Sequence, residues 1–153
     1  MPLEGTPEPL EIICHNDFAI YNIIFNKEQP VGIIDFDMAA PGPKMWDVVY
    51  SLYTSVPLSR FILTEDEDRI VYNSSIHGKE KKNRVKIFLK SYGVDLNDDI
   101  FELLQLRLNT LCKTIEREAC NGNLAYKKMI KDGHVEHYKK DIQFIQKYKQ
   151  DWI

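Results

Sequence analysis

Residues 11–37, EIICHNDFAIYNIIFNKEQPVGIIDFD, constrain this chain more than any other stretch. Three apolar runs alternate with polar turns: Ile12 to Cys14, Ile23 to Phe25, and Val31 to Ile34. Short apolar runs bounded by turn formers read as buried strands. The first run opens into His15-Asn16-Asp17, Asn22 heads the second, and the third ends at Asp35-Phe36-Asp37. Three such strands in one small sheet would bring Asp17, Asn22 and Asp35 to the same end. An Asp or Asn at a strand end is by itself an ordinary turn former. Here two carboxylates and an amide would meet at one corner of the sheet.

The remainder reads as helical support. Residues 1–10, rich in Pro and Gly, are an extended lead-in, and Asn26 to Pro30 connect a hairpin. Ala39 to Pro43 break the pattern. Pro43 then suits the start of a helix over 44–55 that carries Met45, Val48, Val49, Leu52 and Tyr53 on one face. Residues 64–92 read as two helices, with Thr64 and the acidic residues Glu65 to Asp68 at the first N-terminus and a break at His77-Gly78. A long helix capped by Asp95 or Asn97 runs to about Asn121, with Ile100, Leu104, Leu108, Leu111, Ile115 and Ala119 at the 3.6-residue period. Helices from Leu124 to Lys131 and from His134 onward close the chain. The expected fold is α+β, mostly α, with a small antiparallel β element at residues 11–37 packed on a helical subdomain.

The bulk properties exclude several classes. A net charge of -3 over 153 residues argues against a nucleic-acid partner, which needs clustered Lys and Arg. The basic run Lys79, Lys81, Lys82, Arg84 and Lys86 is interrupted by Glu80 and reads as a solvated helix face. Cys14, Cys112 and Cys120 have no metal-ligand spacing and suggest reduced thiols in a cytoplasmic protein. No apolar run reaches membrane-spanning length, so no membrane partner is expected.

The spacing His-x-Asp-x-x-x-x-Asn, a strand, then Asp-Phe-x resembles the catalytic segment of protein-kinase-like enzymes. The form found here, CHNDFAIYNIIF…VGIIDFDMAAPGPKMWDVVYSL, is similar to the aminoglycoside phosphotransferase family and its choline-kinase-like relatives. Asp37 is acidic where protein kinases have Gly, Ala19 stands where they have Lys, and a Trp46-Asp47-Val48 helix follows. Tyr92-Gly93, the long helix, and Gly133-His134 through Asp141 resemble the closing helices of bacterial members. The resemblance implies a kinase-like C-terminal lobe over 11–153. It also implies ATP and Mg²⁺ as cofactors, and transfer of the γ-phosphate to a hydroxyl of a small molecule. Aminoglycosides, choline-like alcohols, sugars and amino-alcohols are the acceptor classes of such relatives. By resemblance, Asp17 is the catalytic residue facing the acceptor hydroxyl, and Asn22 and Asp35 hold Mg²⁺ and with it the nucleotide. Asp37 either assists the metal or shapes a turn. His15 and Asp47 are structural support for the loop.

The sequence contains no G-x-G-x-x-G, and no Lys can be assigned to the nucleotide phosphates. The expectation is therefore a truncated enzyme without its N-terminal nucleotide-binding lobe, exposing an apolar patch around residues 11–37. Such a patch favours self-association or pairing with a separate N-terminal lobe. The alternative is a catalytically inactive remnant acting as a binding or interaction module. Glu116 and Glu118 on the long helix either face a cationic acceptor or are exposed charges beside Arg117. His134 and His137 form a pair without a visible third metal ligand.

Overall fold

The computed structural model describes residues 1–63, 66 and 68–153. The elements run β1 (Ile12–Cys14), a 3-10 turn (Ile20–Asn22), β2 (Ile23–Asn26), β3 (Gln29–Ile33), β4 (Ala40–Gly42), α1 (Met45–Ser55), β5 (Phe61–Leu63), β6 (Arg69–Val71), α2 (Ser74–Tyr92), α3 (Asp98–Cys120), α4 (Leu124–Lys131) and α5 (His134–Trp152). The fold is α+β and mostly α, with small antiparallel ladders.

The β element departs from the expected single sheet. β1 pairs with β4, and β2 pairs with β3 in a separate ladder. The stretch Ala39 to Pro43, expected as a plain break, supplies β4. Gly42 permits that pairing, because a Cβ there would lie 2.9 Å from Cys14 Sγ. The loop after β1 then carries the chain away through the 3-10 turn, so β2 and β3 form their own hairpin. Lys27, at its tip, has a left-handed φ of 57°.

The expected pair of helices over 64–92 is also corrected. β5 and β6 form a hairpin, and a single helix, α2, follows. The Asn73 side chain accepts from Ser75 N at 3.0 Å and starts that helix. His77 and Gly78 lie inside it without a break, with Gly78 buried near the Tyr72 hydroxyl. The cap expected at Thr64 falls outside the described residues. Asn97 and Asn123 cap α3 and α4 in the same way as Asn73, and Gly93 ends α2 at φ 90°. Residues 1–10 lie against α3: Thr110 Oγ1 donates to Gly5 O at 3.4 Å, and Arg117 pairs with Glu4.

The core forms where α1, α3 and α5 meet, with Val85 and Leu89 of α2. Leu52, Phe101, Leu104, Leu108, Ile145 and Trp152 are completely buried. Each such side chain contributes about 2 kcal/mol through lost apolar exposure. A carboxylate is also buried here. Asp141 accepts from Tyr53 Oη at 2.7 Å and from Arg60 Nε at 3.3 Å, and it meets His137 Nε2 at 3.1 Å. It thereby ties α5 to α1 and to the segment before β5. Burial pushes the Tyr53 phenol far above its usual range.

The hairpin and β1 contribute little to this core. Ile13, Ile24, Phe25, Val31, Ile33 and Phe36 are all exposed, with Ile13 and Val31 above 60%. The apolar patch expected around residues 11–37 is present, although its strands are not the buried ones expected. Among the described residues, no helix is long and apolar enough to cross a membrane.

Candidate active site

The site is the loop between β1 and β2, held from three sides. From α1, Asp47 accepts two main-chain bonds, from His15 N at 2.6 Å and from Asn16 N at 2.9 Å. Just beyond β3, Ile34 O meets His15 Nε2 at 2.8 Å, and His15 Nδ1 accepts from Asp17 N at 3.2 Å. A carbonyl on one ring nitrogen and an N–H on the other require the tautomer with hydrogen on Nε2. The Phe36 ring packs on that imidazole with centroids 4.6 Å apart. From α3, the buried Arg107 donates through Nη2 to Asn16 O. Its guanidinium lies 5.3 Å from the Trp46 ring centroid and 4.9 Å from that of Tyr50. Burial works against the Arg107 charge, and Tyr50, Asp47 and Asp17 offset part of that effect.

Asn16 takes a left-handed φ of 65°, which Asn tolerates better than most residues. Its Nδ2 donates to Met38 O at 3.0 Å, closing the loop onto the segment beyond Asp37. The His15 and Asn16 side chains thus serve the loop's shape.

Asp17 and Asn22 are brought together. Asn22 Nδ2 donates to Asp17 O and to Asp17 Oδ2, each at 2.9 Å. Both neighbours are acceptors, so the amide nitrogen must face them, and Asn22 Oδ1 points elsewhere. Asp17 Oδ1 accepts from Tyr21 Oη at 2.7 Å. Asp35 follows directly: Ile34 N donates to Asn22 O at 3.0 Å, so the chain leaves β3 beside Asn22. Asp35 turns there with a left-handed φ of 65°. Asp35 and Asp37 are exposed, and no hydrogen bond or ion pair engages either carboxylate among the described residues. Three acidic, His or Cys side chains do not cluster anywhere among those residues in a way that could hold a metal alone. Mg²⁺ with a polyphosphate needs fewer, since one or two carboxylates plus phosphate oxygens and waters complete its shell.

Glu116 and Glu118 lie nine and eleven residues beyond Arg107 on α3, and neither bonds to the loop among the described residues. Glu116 pairs with Lys139 at 2.7 Å and Glu118 with Arg117 at 3.1 Å. His137 is engaged by Asp141, and His134 is exposed at the start of α5. Sequence reasoning missed Tyr21, Tyr50 and Arg107. Arg107 did leave a signal, as a cation on the apolar stripe between Leu104 and Leu108. Tyr21 left none, because an aromatic in a loop has no periodicity to read.

Asp17 and Asn22 thus sit on a histidine-braced loop, with the exposed Asp35 carboxylate just beyond the end of β3. Residues 4–72 match the model of the phosphotransferase enzyme family (APH), the family the motifs resemble. The match contains the loop, the β2–β3 hairpin, Asp35 and α1, and it ends before α2. It supports a phosphotransferase at the level of the family. No curated protein matches the chain, and no solved structure does.

Proposed function

We propose that the chain carries the acceptor and metal side of an ATP-dependent phosphotransferase acting on a hydroxyl of a small molecule. The observation that carries this reading is the Asn22 amide. Its nitrogen is committed to Asp17, no hydrogen bond engages its oxygen among the described residues, and its main-chain carbonyl receives Ile34 N, the residue before Asp35. Asn22 Oδ1 and the Asp35 carboxylate would hold Mg²⁺, with Asp37 beside them. The bound ion would neutralise charge on the nucleotide phosphates. Asp17, fixed at its N–H, its carbonyl and Oδ2, presents Oδ1 to an acceptor hydroxyl and takes its proton. Nothing in the loop selects among aminoglycosides, choline-like alcohols, sugars and amino-alcohols. Three unpaired thiols, two of them buried, suit a reducing compartment such as the cytoplasm.

The apolar face of β1 and the hairpin is where a nucleotide-covering lobe would sit, whether joined to this chain or separate, or where a second copy would. That face also favours the second reading, an inactive interaction module. The two readings separate in a transfer assay with Mg²⁺-ATP and a panel of the four acceptor classes. The expected result is transfer to one class, lowered roughly a hundredfold or more by Asp17→Ala. Transfer that survives Asp17→Ala contradicts the role given to Asp17. ATP binding without transfer to any acceptor favours the interaction module.

A further inference from the structure

Both oxygens of the Asp17 carboxylate are already occupied. Oδ2 accepts from Asn22, and Oδ1 accepts from the Tyr21 phenol at 2.7 Å. The Asn22 bond belongs to the buried frame of the loop. The Tyr21 bond does not: Tyr21 is 62% exposed. Its other polar partner is the Tyr50 hydroxyl at 3.4 Å, beyond the usual O–H···O length. The Asn22 nitrogen that holds the Asp17 carbonyl also holds Oδ2, which keeps the carboxylate with Oδ1 toward the exposed Tyr21. A hydroxyl that is to meet Asp17 arrives at Oδ1, where the Tyr21 phenol takes one of its two acceptor positions.

We propose that Tyr21 gates the acceptor position, holding Asp17 Oδ1 against water and yielding to an acceptor hydroxyl that arrives with contacts of its own. The inference rests on the phosphotransfer reading above. A bond from a phenol to a carboxylate is charge-assisted, and displacing it costs a factor of about ten or more. Water brings no further contact to offset that cost, whereas a larger acceptor draws on binding from the rest of the molecule. Swinging the ring outward gives up little burial. The reaction so suppressed is hydrolysis. A water oxygen bonds to the γ-phosphorus, the bond from that phosphorus to the β,γ-bridging oxygen breaks, ADP leaves, and the water proton goes to Asp17.

Tyr21→Phe keeps the ring and removes only the hydroxyl. Mg²⁺-dependent ATP hydrolysis without acceptor is expected to rise about tenfold in this variant. Adding Asp17→Ala should abolish the gain. The proposal is overturned by equal hydrolysis in wild type and Tyr21→Phe when both bind Mg²⁺-ATP. Phosphate recovered covalently on Tyr21 overturns it too, since the phenol would then be an acceptor rather than a gate. Absence of Mg²⁺-ATP binding in both proteins overturns the phosphotransfer reading itself, and the gate with it.

Discussion

Replacing Asp47 with alanine is expected to lower stability by about 3 kcal/mol and to loosen the loop that carries Asp17. The carboxylate in the first turn of α1 accepts main-chain bonds from two consecutive residues more than thirty positions earlier in the chain. His15 and Asn16 are both buried, so water does not freely replace the lost acceptors. Hydrogen bonds to a charged group are worth about 1.5–3 kcal/mol each, and an abandoned buried N–H carries a similar penalty. Asp47→Asn keeps one acceptor oxygen but turns an NH₂ toward the other N–H, so it should recover less than half of the loss. Urea unfolding measures the stability, and amide exchange at His15 and Asn16 measures the loop. An Asp47→Ala protein with wild-type stability and unchanged protection at both amides would remove Asp47 from its anchoring role.

A second large effect lies away from the site, at Lys81 in α2. Its ammonium is buried, 5.4 Å from the Tyr72 ring centroid and 5.9 Å from that of Trp152, and it donates to Pro57 O. Burial pushes it down from 10.5 to about 8, Arg84 adds to this, and Asp141 and Glu80 oppose it. Between those two values the unfolded chain binds the proton that the folded protein releases. Stability therefore rises with pH across that window. The gain from pH 7 to pH 10 is about 2 kcal/mol. Other groups run the opposite way. Burial raises the Cys14 and Cys112 thiols from 9.0 to about 11, so they withdraw stability as pH rises from 9 toward 11. The buried phenols of Tyr50, Tyr53 and Tyr138 act likewise above 10. The clean quantity is the difference between wild type and Lys81→Met, in which those contributions cancel. That difference should move by about 2 kcal/mol in favour of wild type over this range. A difference constant with pH would mean that Lys81 keeps its proton in the folded protein.

The helices were largely legible because each announces itself twice, by a periodic apolar face and by a cap. In α3, Ile100 through Ala119 lie on the core stripe and Asn97 caps the start; α4 and α5 begin and end where Gly122 and Gly133 indicate. The strands carried no such redundancy. Ile12, Ile24 and Val31 look like core residues, yet they are exposed, since an apolar run does not say what covers it. β4 was hidden by Pro41 and Gly42, which usually interrupt strands but are tolerated in a short two-stranded ladder. The hairpin of β5 and β6 was masked by an acidic run that suits a helix N-terminus. In the candidate site, the loop and its hairpin followed from the spacing of Asp17, Asn22 and Asp35. Support from Asp47 was expected from the resemblance; that from Arg107 and Tyr50 was not, because they reach the loop from elements far along the chain.

Calorimetric titration of ATP into the protein with and without Mg²⁺ tests the proposal that Asn22 and Asp35 form a magnesium-dependent nucleotide corner. Binding is expected to require Mg²⁺, and its Mg²⁺-dependent part to be lost in Asp35→Asn. Absence of binding at millimolar ATP, or binding indifferent both to Mg²⁺ and to Asp35→Asn, would contradict it.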